Sequence, residues 1–206
     1  MSAKPPFAPL KFAEAALKTE RQPDGSLLLS SAQPLAPYAR CVGEWLVAWA
    51  DKTPQRVFLA ERAAGGWRHI TYAETLATAR RIGTALLRKG LSAERPLVIL
   101  SDNAIDHALL MLGALHVGIP VAPVSPAYSL MSKDHAKLKA IIQLLQPGLV
   151  YAADGIRFAA ALDALKGLAE FSDSEIVIGA NPVPGVACTL FADLPEEVND
   201  AAVDRA

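Results

Sequence analysis

Between Leu97 and Ile178, short and nearly uninterrupted runs of Val, Ile and Leu alternate with longer stretches of helical periodicity, and this alternation restricts the fold more than any other feature of the chain. The spacing predicts strands at Leu97–Leu100, Ile119–Val124, Leu149–Tyr151 and Glu175–Ile178, separated by helices at Ala104–Val117, Lys133–Leu145 and Ile156–Leu168. Strands that lack polar alternation are strands covered on both faces, and strand–helix–strand units pair in parallel through right-handed crossovers. The expected fold class is therefore α/β: an open, mostly parallel, doubly wound sheet with flanking helices. Ligands of such sheets sit at the carboxyl ends of the strands. The loops that matter are then Ser101–Asn103, Ser125–Tyr128 and Ala152–Gly155.

The rest of the chain is organised around that block. Six of the fifteen prolines (Pro5, Pro6, Pro9, Pro23, Pro34 and Pro37) fall in residues 1–40, where Pro23-Asp24-Gly25 signals a turn before Leu27–Leu29. This part reads as a proline-rich arm with a small hairpin. Residues 41–180 read as the α/β unit and 181–206 as an irregular segment that turns acidic from Asp193. Val42, Trp45, Leu46 and Trp49 recur at helical intervals, and the two tryptophans, four residues apart, are expected in the core. Val57–Ala60 and Trp67–Tyr72 flank a Gly65-Gly66 turn. Thr71-Tyr72-Ala73-Glu74 is a capping box opening a helix that stops at Gly90. Asn103 and Ser132 are the expected caps of two later helices.

Composition excludes several partners. The 206 residues hold 20 basic and 21 acidic side chains, a formal net charge of -1, so there is no electrostatic footprint for nucleic acid or an acidic membrane surface. Cys41 and Cys188 match no metal or redox spacing and read as isolated thiols of a reducing compartment. Lys4, Lys11, Glu14 and Lys18 leave no apolar core for a signal peptide. The stretch His107–Ser132 is free of Asp, Glu, Lys and Arg, but Pro120, Pro123 and Pro126 interrupt it before a bilayer's length of about 20 residues is reached. A cytoplasmic location without membrane contact is expected.

Taken residue by residue, the chain displays no chemistry. No G-x-G-x-x-G occurs, and Gly113 and Gly118 read as close packing and a helix stop, with Ile119 where a phosphate loop has lysine. His107 and His116 are nine residues apart on one helix, outside any metal-ligand spacing, and no G-x-S-x-G elbow surrounds Ser101, Ser125 or Ser129. Asp102 and Asp106 are more economically capping and helix-dipole residues than a catalytic pair. No catalytic residue, no metal ligand and no cofactor bound by this chain are expected.

The order of the strings says more. Thr71-Tyr72-Ala73-Glu74, a helix ending Gly90-Leu91, Asp102-Asn103, an apolar helix closing at Gly118 and Val121-Ala122-Pro123-Val124-Ser125-Pro126 together resemble the N-terminal portion of the AMP-forming acyl-CoA synthetase superfamily. Arg40-Cys41-Val42-Gly43-Glu44-Trp45-Leu46 and the run Pro123 to Ser132 resemble its feruloyl-CoA synthetase branch. The resemblance implies a ligase that joins a hydroxycinnamate-type acid to coenzyme A through an acyl-adenylate, using ATP and Mg2+. It also implies that the nucleotide loop and the catalytic lysine of the family lie downstream of the matched region, so these residues alone are expected to be inactive, a truncated ligase. Asn103, Ser125 and Tyr128 are only candidates for the edge of the acid pocket, and cap and turn residues are the more economical reading of them. An unfinished domain is expected to self-associate through an exposed apolar face. Two alternatives remain open on the sequence: a stand-alone binding or interaction module, and a flavodoxin-like nucleotide-binding enzyme on the same sheet.

Overall fold

The computed structural model describes residue 14 and residues 16–203. Prolines 5, 6 and 9 of the expected arm lie outside the described residues. The described chain forms two compact units that divide after Tyr38.

In the first unit β1 (Leu17–Arg21) and β2 (Leu27–Ser31) pair antiparallel, with Leu17 opposite Ser31. The turn forms as its sequence predicts. Asp24 Oδ1 accepts from the Ser26 amide at 2.9 Å and the Ser26 hydroxyl at 2.7 Å, and Gly25 takes φ +86°, which a side chain would resist.

The second unit begins with α1 (Val42–Lys52), a hairpin of β3 (Val57–Ala63) and β4 (Gly66–Thr71), and α2 (Tyr72–Arg88). Then come β5 (Leu97–Leu100), α3 (Ile105–His116), β6 (Val121–Val124), a π-helical turn (Ala127–Met131), α4 (Ala136–Leu145) and β7 (Leu149–Asp154). The short helices α5 (Ala159–Leu165) and α6 (Ala169–Ser172) lead to β8 (Glu175–Ala180), β9 (Thr189–Leu190) and α7 (Asp200–Val203). Five strands form one parallel sheet in the order β6-β5-β7-β8-β9.

Strand periodicity divides the core into two layers. Leu97 and Ile99 of β5, with Leu149 and Tyr151 of β7, pack on one face against Ile82 and Leu86 of α2 and Leu109 and Leu110 of α3. Val98, Leu100, Val150 and Ala152 face the other way, onto Leu138 and Ile142 of α4 and Phe158 and Leu162 beside them. All eight strand residues are essentially inaccessible, which is why the sequence shows apolar runs without alternation. The fold class read from the sequence is the observed one.

Close approach of α2 and α3 depends on two glycines. A Cβ at Gly83 would lie 2.7 Å from Val117 Cγ1, and one at Gly113 would lie 2.7 Å from Ile82 Cγ2 and 3.1 Å from the Ala79 carbonyl oxygen. The capping box also forms: Glu74 N–H donates to Thr71 Oγ1 at 3.2 Å, and Glu74 Oε2 accepts from the Thr71 amide at 2.8 Å.

Several local expectations are corrected. Trp45 and Trp49 are 59% and 41% exposed; the face of α1 turned to the core is Gly43, Leu46 and Ala50, and the tryptophans lie beside it with Val42. Periodicity alone could not decide between these faces, because α1 is apolar on both. Asn103 does not cap α3, whose cap position is Ala104. Ser132 stands a turn before α4: its hydroxyl accepts from the His135 amide at 3.1 Å, while Asp134 Oδ1 takes the Ala136 amide at 3.1 Å. The helix expected over 156–168 is confined to Ala159–Leu165.

The segment after Asn181, expected to be irregular, supplies the fifth strand and is fastened along α2. Arg81 donates to the Pro195 and Glu196 carbonyls at 3.3 Å, Arg88 pairs with Glu196, the Asn199 amide donates to Thr84 Oγ1 at 3.1 Å, and Val203 is buried. Among the described residues no helix is long and apolar enough to cross a membrane. Cys41 and Cys188 are free and half-buried.

The glycine contact yields a stability prediction. Gly113→Ala gains about 1 kcal/mol of helix propensity but overpacks a contact with a backbone carbonyl that cannot move aside, at roughly 1–3 kcal/mol. The urea midpoint is expected to fall; an unchanged or raised midpoint would show that α2 and α3 separate freely.

Candidate functional site

From β5 the chain crosses first to β6 on one side and then to β7 on the other, so the switch point of this sheet lies between β5 and β7. A crevice forms there because the loops leaving the two strands diverge to opposite faces.

The loop after β5 is short and internally bonded. Ser101 is buried and its hydroxyl donates to the Asp102 carbonyl at 2.6 Å; His107 Nδ1 lies 3.2 Å from the same oxygen. The Asp102 carboxylate crosses the switch point to Arg157, which follows β7. Both partners are about half exposed (52% and 53%), so the pair adds at most about 1 kcal/mol.

The loop after β7 is held by Asp154. Its Oδ1 accepts from the Arg157 amide at 2.9 Å and its Oδ2 from Asn181 Nδ2 at 2.7 Å, joining the ends of β7 and β8. Gly155 permits this approach, since a Cβ there would meet the Asn181 carbonyl oxygen at 2.5 Å. The Arg157 amide, then the Asn181 side chain, hold the Asp154 carboxyl below its ordinary pKa.

After β6 the backbone turns at Pro126 into the π-helical turn. The Ser125 carbonyl accepts from the Tyr128 amide at 2.9 Å, and the Tyr128 ring lies against the second core layer with Lys137 Nζ 5.1 Å from its centroid. Ser129 is buried, and among the described residues its hydroxyl has no hydrogen-bond partner; its carbonyl lies 3.1 Å from His135 Nε2.

The three residues singled out in the sequence are thus only partly brought together. Asn103 is exposed at the mouth of a cleft of about 280 Å³, lined by Leu59, Glu61, Ile105, His107 and Met111. Ser125 and Tyr128 sit on the neighbouring strand's loop and do not line that cleft. Asp102 and Asp106 do not act as a carboxylate pair: one is paired with Arg157, and Asp106 accepts from Arg68 at 2.8 Å. Among the described residues no three His, Cys, Asp or Glu side chains converge to hold a metal ion, and the carboxylates of the crevice are already paired. These residues do not fit a Mg2+ site.

Sequence reasoning missed Glu61, Arg68 and Arg157. The Gly65-Gly66 turn does place Glu61 opposite Arg68 in the hairpin register, a signal readable in principle. Their contacts with α3 are not readable, because only tertiary packing brings β3 and α3 together.

A pH titration checks the Asp154 assignment. A depressed folded-state pKa gives stability that is present above the unfolded value of about 3.9 and is lost as pH falls through the folded value. The Asp154 carboxyl is expected to titrate, by NMR, below the usual aspartate range. In Asn181→Ala its midpoint should move up, and an unmoved midpoint would rule out the Asn181 contribution.

Comparison with known proteins gives this geometry its family. The family described as AMP-binding enzyme matches residues 46–203. Luciferin 4-monooxygenase of Photinus pyralis is 31% identical over 83 residues, 40% of this chain and 14% of that protein. The luciferase-like enzyme from the nonluminescent Zophobas morio mealworm superposes with a TM-score of 0.62 at 18% identity, covering 78% of this chain and 35% of that one. Acetoacetyl-CoA synthetase from Streptomyces lividans gives 0.62 at 14% identity, covering 77% and 25%. The chain therefore spans about a third or less of the length of each of these proteins, and at such identities the structures share its fold. With its ordered motifs and its sheet both accounted for, the chain belongs to the AMP-binding enzyme family.

Proposed function

We propose that this chain is the N-terminal part of an acid–CoA ligase that activates hydroxycinnamate-type acids, using ATP and Mg2+ to form an acyl-adenylate and then coenzyme A to release AMP. The observation that carries the reading is the family match over residues 46–203. Two strings support the branch, and one of them, Pro123–Ser132, forms β6's end and the π-helical turn next to the crevice.

On this reading residues 41–180 form the α/β subdomain and 181–206 lead toward the nucleotide loop. Asn103, Ser125 and Tyr128 stand at the edge of the acid site. Adenylation brings two anions together and needs preorganised cations and N–H donors around the phosphates. No residue described here is assigned that role, so these residues alone are inactive in the proposal. Two free thiols fit the reducing, cytoplasmic compartment. The exposed face of Val42, Trp45 and Trp49 favours an incomplete domain over a stand-alone module, which would cover such a surface.

Ferulate-dependent exchange of pyrophosphate into ATP tests the function. The protein as encoded by its whole gene is expected to catalyse exchange with ferulate at a higher kcat/KM than with an aliphatic acid of similar size. The 206 residues alone are expected to give none. Exchange by the short chain overturns its inactivity, and a preference for the aliphatic acid overturns the branch. Light scattering gives a second check: the short chain is expected to self-associate, and Trp45→Glu to reduce that association.

A further inference from the structure

The first amide of α3 is satisfied from far away in sequence. Ala104, at the cap position, has no side chain able to accept a hydrogen bond, and Ile105 N–H donates instead to Glu61 Oε2 on β3 at 2.7 Å. The other Glu61 oxygen accepts from Arg68 Nη1 at 2.9 Å, and Arg68 Nη2 donates to Asp106 Oδ1 at 2.8 Å. One guanidinium thus ties a strand carboxylate to a carboxylate in the first turn of the helix. The Glu61 and Asp106 side chains are only 25% and 23% exposed, so these charge-assisted bonds are partly shielded from water. A carboxylate at this place also faces the positive end of the helix dipole.

What hangs on this contact is the crevice. Only the four residues Ser101 to Ala104 join the end of β5 to Ile105. They are held from the helix side, because His107 in the first turn of α3 contacts the Asp102 carbonyl. Ile105 is 2% exposed with Glu61 in place, so its amide is covered by that carboxylate and would open to the cleft if the side chain were lost.

We propose that Glu61 is a positioning residue for the carboxyl-end crevice: by capping α3 from another element it fixes the Ser101–Ala104 loop, which carries Asp102 to Arg157 and Asn103 to the mouth of the cleft. The small hairpin of β3 and β4, outside the parallel sheet, is in this way bolted to the switch point. The loop part of the inference stands on the contacts alone; its extension to an acid site at Asn103 rests on the function proposed above.

Two measurements on the 206-residue chain test the loop. In Glu61→Ala, amide hydrogen exchange at Ile105, Asp106 and His107 is expected to quicken about tenfold while α2 amides stay within about twofold. In a double-mutant cycle with Arg157→Gln, sites without shared partners multiply their effects on the unfolding constant to within about twofold. Here the combined effect is expected to fall short of the product by about three- to fivefold, because a freed loop no longer presents Asp102 to Arg157. Simple multiplication, or unchanged exchange, overturns the proposal. Glu61→Met, of similar volume but without an acceptor, carries the same cycle if the alanine variant does not fold, and Glu61→Gln, which keeps an acceptor oxygen, is expected to hold the Ile105 amide near its wild-type exchange rate. In the whole-gene enzyme, Glu61→Ala is expected to raise the KM for the acid more than it lowers kcat. A responding loop with an unchanged KM leaves the clamp in place and removes Asn103 from the acid site. Absence of exchange activity in the wild type removes the ligase reading, and the amide exchange and the cycle still decide the clamp.

Discussion

Leu97 to Leu100, and Leu149 to Ala152 beside them, have no side exposed to water, and most of the second unit follows from that. A strand buried on both faces needs a helical layer above and below, and short right-handed crossovers are the connection that supplies both. The chain therefore sends α2 and α3 to one face and α4 and α5 to the other. Gly83 and Gly113 let the first pair of helices approach closely enough to seal their layer. The segment after β8 completes the arrangement, with Phe191 and Leu194 closing the first core layer and the following residues fastened to α2.

That same architecture fixes where polar groups gather. With both faces sealed, the free backbone and charged side chains collect at the strand ends, and at the carboxyl end they are paired with one another. Asp154 ties β7 to β8, Asp102 and Arg157 span β5 and β7, and Glu61 with Arg68 ties the small hairpin to α3. Such a rim holds the loops of an AMP-binding enzyme in place without itself offering an unpaired carboxylate for a metal. The aromatic side of α1 has the opposite character: Trp45 and Trp49 face solvent although Tyr72 and Phe58 stack alongside, at 6.0 Å from Trp49 and 4.6 Å from each other respectively.

How much of this could be read from residues alone varies with the range of the interaction involved. The capping box at Thr71 was legible because all its partners lie within four residues, and so was the Asp24-Gly25 turn. The family was legible because its strings occur in order along the chain. The solvent-facing side of α1 was not, since Val42, Trp45 and Trp49 are as apolar as Leu46 and Ala50 and only the neighbouring elements select a face. The cap of α3 was misread for a similar reason: Asn103 has the right chemistry one residue too early, and the acceptor that is used comes from β3.

The sequence by itself determined the class of the sheet, four of its five strands, several local turns and the family, because hydrophobic period, capping and motif order are short-range properties of the chain. Only the tertiary structure decided the strand order β6-β5-β7-β8-β9, the place of the switch point, and the pairing of Glu61 with Ile105 and of Asp102 with Arg157. These depend on which elements the burial of apolar faces brings together, and residues 44 and 55 positions apart carry no local mark of meeting.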